Sequence, residues 1–145
     1  MCYIDRVETK WPLRTQLPIG SRVPLHCTAS GKLWLASLPA ARRRQVISGL
    51  DLVPHTPGTI TDADALLSNL EDIRQQKVGT DNQEFIEGMV AVAVPVTDTK
   101  GRLAGTLACH GPTVRMSMET AWSFVPALRR AAAKLSEVGD APDAD

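Results

Sequence analysis

The sequence carries no excess of either charge: 16 Lys and Arg balance 16 Asp and Glu over 145 residues. A neutral chain does not attract nucleic acid or an anionic membrane through its overall field. Long apolar runs are missing as well. No stretch approaches the roughly 18 apolar residues of a membrane-spanning helix. The N-terminus lacks a basic segment followed by an apolar core, so no signal peptide is expected. A cytoplasmic location with no membrane partner is the expectation. Cysteine is scarce and scattered, at Cys2, Cys27 and Cys109. An odd, widely spaced set excludes a disulfide framework and a CxxC zinc pattern, and reduced thiols are expected. There is no P-loop, dinucleotide fingerprint or nucleophile elbow. There is also no close pair of ligands such as HxxxH, and no internal repeat or low-complexity segment.

What is present is enough chain for one domain with a real core. Residues 2–7 have β character, and a strand so close to residue 1 suggests a piece of a longer protein. Trp11-Pro12 breaks that strand, and residues 13–17 can form a second one. Pro24 then holds the chain extended at Val23. Thr28 can cap a helix over residues 29–38, leaving the first amides free as anion donors. A second helix covers residues 40–50. Its Arg42-Arg43-Arg44 run splays around the circumference and reads as a solvated face rather than a nucleic-acid patch. Residues 54–60 form a loop. Thr61 or Asp62 caps a third helix over residues 63–76, with Leu66, Leu67, Leu70 and Ile73 on its buried face. Lys77-Val78-Gly79 supplies the cation and glycine expected at its end.

Residues 80–86 are expected to be extended. A hairpin follows, with strands over 89–96 and 103–109 joined by a turn at Asp98-Thr99-Lys100-Gly101. Its faces differ, because alternate residues point opposite ways. Val90, Val92, Val94 and Val96 share one face with Leu103, Leu107 and Cys109. Met89, Ala91 and Ala93 share the other with Ala104, Thr106, Ala108 and His110. The aliphatic face suits packed helices. The alanine face either admits close backbone packing or leaves a hollow of the kind a small molecule needs. Gly111-Pro112 stops the return strand. Ser117 caps a last helix over residues 118–138, irregular near Pro126, with Trp122, Val125, Leu128, Ala132 and Leu135 as its apolar stripe. Residues 139–145 read as a disordered acidic tail.

Catalytic groups are few. In a strand, adjacent side chains point to opposite faces, so neither His26-Cys27 nor Cys109-His110 is expected to work as a pair. His110, Asp81 and a thiol could meet in one hollow, a donor set that suits zinc.

Several segments in order carry a resemblance: 3–8 (YIDRVE), 20–32 (GSRVPLHCTASGK), Ile73-Arg74, Asp81-Asn82-Gln83-Glu84, Gly88, Pro95-Val96 and Gly111-Pro112. Together they are similar to the effector-binding domain of IclR-family transcriptional regulators, over nearly the whole chain. The resemblance implies an α+β, GAF-like domain, an antiparallel sheet flanked by helices, over residues 1–138. The family's winged helix-turn-helix would lie outside this chain. The resemblance also implies a pocket on one side of the sheet for a small organic or aromatic acid. The family's carboxylate-binding amides fall on Ala29 and Ser30, its acidic residue on Asp81, and its pocket lining on Val23, Met89, Ala91, Ala108 and His110. The chain departs at Ala108 and His110, where several members have serine, and at Ala91, where a thiol can stand. No catalytic residue, cofactor or metal is implied. The expected partners are the effector, a second copy of the chain in a dimer or tetramer, and DNA only through the missing domain. The alternative is a GAF-like domain that binds a metal or does chemistry at His110 and Asp81.

Overall fold

The computed structural model describes residues 1–8, 10 and 18–138. The expected strand at 13–17, the break at Trp11-Pro12 and the tail at 139–145 lie outside the described residues. Three helices come first: α1 (Ala29–Ser37), α2 (Ala40–Ser48) and α3 (Ala63–Gln76). A three-stranded antiparallel sheet follows, β1 (Gly79–Asn82), β2 (Met89–Thr97) and β3 (Leu103–Pro112), in spatial order β1-β2-β3. Two helices close the described chain, α4 (Met118–Ser123) and α5 (Val125–Val138). The architecture is α+β, with helices on both faces of the sheet.

The local chemistry explains the boundaries. Thr28 caps α1: its hydroxyl accepts from the Gly31 amide at 3.1 Å and donates to the Pro24 carbonyl at 2.7 Å. Asp62 caps α3 by accepting from the Ala65 amide. Lys77, not a glycine, takes the left-handed conformation that ends α3. Gly79 serves a different purpose, because a Cβ there would lie 2.0 Å from the Ala29 carbonyl oxygen. Glycine at 79 therefore lets α1 press against the sheet, a use of glycine that chain-end statistics do not anticipate.

The sheet separates two cores. Val90, Val92 and Val94 are buried with Val78, Met116, Ala121, Val125 and Ala132 against α4 and α5. Ala91 and Ala93 are buried with Ala29, Leu33, Leu66, Leu70 and Ile73 against α1 and α3, with Ala108 packed alongside. The predicted division of faces holds.

Several expectations need correction. Residues 2–7 do not form a strand. Cys2 makes a single antiparallel bridge to Arg22, while Ile4 and Val7 stand almost fully exposed. Their β-branched side chains pack on none of the described residues, so propensity alone does not produce a strand. The extended segment at 80–86 ends at Asn82, where the Asp81 side chain captures two later amides and turns the chain. β3 runs on to Pro112, which pairs with Met89, so Gly111-Pro112 does not stop it. On an edge strand a proline can keep its missing N–H on the unpaired side. The last helix is two helices that meet at Phe124, and Leu135 is exposed rather than part of the stripe. Of the three arginines, Arg42 and Arg44 are solvated, but Arg43 is buried and reaches Glu71 at 3.7 Å.

Candidate functional site

The antiparallel register brings the expected residues into one row. Asp81 pairs with Ala91, and Ala91 pairs with His110, so all three occupy one face across the three strands. One step along, Gly79, Ala93 and Ala108 form a second row. This face looks toward α1, whose first residue, Ala29, belongs to the same core as Ala91. Thr28 occupies the Gly31 amide, and no protein acceptor engages the amides of Ala29 and Ser30 among the described residues. Val23 is buried and donates its amide to the Met1 carbonyl at 3.0 Å. Met89 is half-buried at the β2 end of the face.

Asp81 is the electrostatic centre. Its Oδ1 accepts from the Glu84 amide at 2.8 Å and from the Phe85 amide at 3.4 Å. Burial still pushes its pKa from 3.8 up to about 6, aided by the Glu84 charge and opposed by those amide bonds and by Lys32. Burial, and then the Asp81 charge, also raises the Tyr3 phenol. The Cys27 thiol is pushed up to about 12 by burial and by the charges of Asp81 and Glu84, against Lys32. His110 has exposed surface on the edge strand. Even so, enough protein surrounds its ring for desolvation to lower its pKa, so it is a neutral imidazole near pH 7.

A fully buried ion pair supports this centre. Lys32 Nζ donates to both Glu84 carboxylate oxygens, at 2.7 and 2.8 Å, and to Asn69 Oδ1 at 3.1 Å. Ala29, Lys32, Leu33 and Ala36 follow the i, i+3, i+4, i+7 spacing of a buried helix face, so a lysine lies on an apolar stripe. That position was the available signal for the pair, and Asp81-x-x-Glu84 was its counterpart.

The strand alternation expected to separate His26 from Cys27 is absent. These residues lie in a bend between Pro24 and α1, not in a strand, so alternation does not separate them. Their ligand atoms and one from His55 all lie within 4.8 Å of one another. Cys109 lies on the valine face, away from His110 and Asp81. A separate open groove of about 290 Å³ is lined by Asn69, Asp72, Gln76, Asn82, Met118 and Trp122 among others, and includes none of the expected site residues.

Residues 1–137 match the family described as bacterial transcriptional regulator IclR C-terminal. The chain belongs to this family. The IclR domain is 53% identical over 130 residues to the probable transcriptional regulator SauR of Cupriavidus necator, covering 90% of this chain and 52% of SauR. The chain thus spans about half the length of the curated relatives it matches. The Thermotoga maritima IclR structure superposes with a TM-score of 0.86 at 31% identity, covering 94% of this chain and 56% of that one. The inducer-binding domain of PobR from Acinetobacter, a double mutant in complex with 3-hydroxybenzoic acid, gives a TM-score of 0.80 at 31% identity, covering 83% and 70%. The fold is therefore the GAF-like fold of IclR C-terminal domains, and the curated relatives that share it are transcriptional regulators.

Proposed function

We propose that this IclR domain senses a small organic or aromatic acid that carries a hydroxyl or carbonyl, and passes that signal to a DNA-binding part outside this chain. The carrying observation is the row Asp81, Ala91, His110, which faces a helix start whose first two amides have no protein acceptor among the described residues. Amides at a helix N-terminus suit any carboxylate, because the donors and the dipole do not depend on side chains. Val23, Met89, Ala91 and Ala108 would shape the walls.

His110 and Asp81 would select among acids. A neutral imidazole donates from one nitrogen and accepts at the other, and its flat face can stack on a ring. Asp81 titrates near pH 6, so it can bind a ligand hydroxyl as carboxylate, or bind a second acceptor once protonated. The 3-hydroxybenzoic acid bound by the PobR domain is an aromatic acid with one hydroxyl, which supports this class. Binding would bias the domain between two states by differential affinity, with the domain self-associating as a dimer or tetramer in a cytoplasmic regulator.

A thermal-shift screen of hydroxylated, keto and plain carboxylic acids tests this reading. An effector at ~100 times its Kd stabilises by ~2.7 kcal/mol. Calorimetry on His110→Ala should then show affinity weakened by about 1–3 kcal/mol. Unchanged affinity would remove His110 from the site and leave the alanine face as packing.

A further inference from the structure

We propose that His26, Cys27 and His55, none of them an expected acid-binding residue, form a metal site for zinc or a similar borderline divalent cation. It is built by two segments that meet: the bend at 24–28 before α1, and the loop at 50–61 between α2 and α3. Their three ligand atoms already lie within 4.8 Å of one another. Zn–N lengths of about 2.0–2.1 Å and Zn–S lengths of about 2.3 Å place tetrahedral ligand atoms roughly 3.3–3.6 Å apart. Closing the set therefore needs shifts of about 1 Å. His55 is the exposed member of the three and has the most freedom to rotate toward the other two.

The surroundings orient these ligands. His26 Nε2 lies 3.0 Å from the Val53 carbonyl oxygen, which can only accept. Nε2 therefore carries the proton, and Nδ1 keeps the free lone pair. A ring N–H given to a carbonyl is the usual support of a metal-binding histidine. The loop that carries His55 is pinned as well. Thr56 Oγ1 donates to the Gln83 carbonyl at 2.6 Å, and Thr59 Oγ1 donates to the Glu84 carbonyl at 2.6 Å. The His55 amide bonds back to Thr59 Oγ1 at 3.0 Å. Phe85 meets the His55 ring edge-on at a centroid distance of 5.4 Å, and the His26 ring lies 5.9 Å away.

The donor set selects the metal class. Two imidazoles and a thiolate suit zinc, whereas magnesium and calcium prefer oxygen. Three protein ligands leave a fourth position for water. In the metal-free chain Cys27 is a buried free cysteine that carries its proton. Metal entry breaks the S–H bond, forms the S–metal bond and releases that proton to solvent. Asp81 and Glu84, whose charges disfavour a thiolate, favour a dication in the same place, while Lys32 opposes it. Cys27 is buried and His55 exposed, so a cation would approach from the His55 side.

The test uses chelator-treated chain in a Cys2→Ser/Cys109→Ser background, which leaves Cys27 as the only thiol. Zinc alone is titrated against a chromophoric chelator, and cobalt(II) is the spectroscopic stand-in. The expected result is one metal per chain, about one proton released, a thiolate-to-cobalt charge-transfer band and tetrahedral ligand-field intensity. Cys27→Ser should remove the charge-transfer band. His55→Ala, on the surface, should weaken zinc at least tenfold with the circular dichroism spectrum unchanged. If Cys27→Ser does not fold, His55→Ala decides alone. Zinc affinity unchanged by His55→Ala, no saturable zinc binding by folded chain, or a cobalt spectrum without thiolate character would overturn the assignment. None of these outcomes bears on the organic-acid reading, which the His110→Ala calorimetry tests.

Discussion

The two faces of the sheet are built on opposite rules. The side toward α4 and α5 is sealed by valines and carries no buried charged residue among those described. The side toward α1 is lined by alanines and holds His26, Thr28, Lys32, Asp81 and Glu84, all buried. Burying charge is unfavourable unless it is paired, and here Lys32 and Glu84 pair fully while Asp81 stays under strain. One face thus supplies stability through apolar contact. The other gives up some of it to keep polar groups where a ligand could meet them. Buried polar networks of this kind are sensitive to the loss of any one member.

The sharpest way to break the contrast is Lys32→Ala. It leaves Glu84 buried without its cation, and the loss should reach about 3–5 kcal/mol in denaturant melts. Lys32→Met with Glu84→Gln should recover much of it, because the unpaired charge is gone. If the single variant is as stable as the parent, the pair is not what organises this face.

Asp81→Asn probes the strain without losing the acceptor that Glu84 and Phe85 use. The Asp81 pKa in the fold, about 6, lies above the ordinary 3.8. Its contribution is therefore most favourable below about pH 4 and is lost as pH rises through 6. The variant should gain about 3 kcal/mol over the parent at pH 7.5 and nearly match it at pH 4, an order-of-magnitude figure for a shift of this size. A gap that does not change with pH would mean the carboxylate is not desolvated.

Thr28→Ala should have the smallest effect, about 1 kcal/mol, the usual value of an N-cap. It also frees the Gly31 amide, which a carboxylate could then engage. Melting curves measure the loss, and effector calorimetry shows whether affinity changes with it.

Much of this was legible along the chain. The hairpin, its two unlike faces, α3 and the cap at Thr28 follow from periodicity of 2 or 3.6 and from side chains that bond their own neighbours. The row Asp81, Ala91, His110 needed one further fact, the register of β1 on β2. Lys32 and Glu84 are 52 positions apart; a lysine on an apolar helix stripe signals a buried partner, but only the tertiary structure identifies Glu84 as that partner. His55 was read only as part of a loop, because its role depends on where that loop lands. The strand expected at residues 2–7 failed for the related reason that propensity needs a neighbour to pack on.

The sequence by itself determined the first three helices, the hairpin and its two unlike faces, and the family to which the chain belongs. These depend on near neighbours and on order along the chain. Only the tertiary structure decided that a lysine is buried on a carboxylate, that Asp81 titrates near pH 6, and that His26, Cys27 and His55 meet. Desolvation and coordination depend on distances between remote segments, and those distances exist only once the α1 face has closed on the sheet.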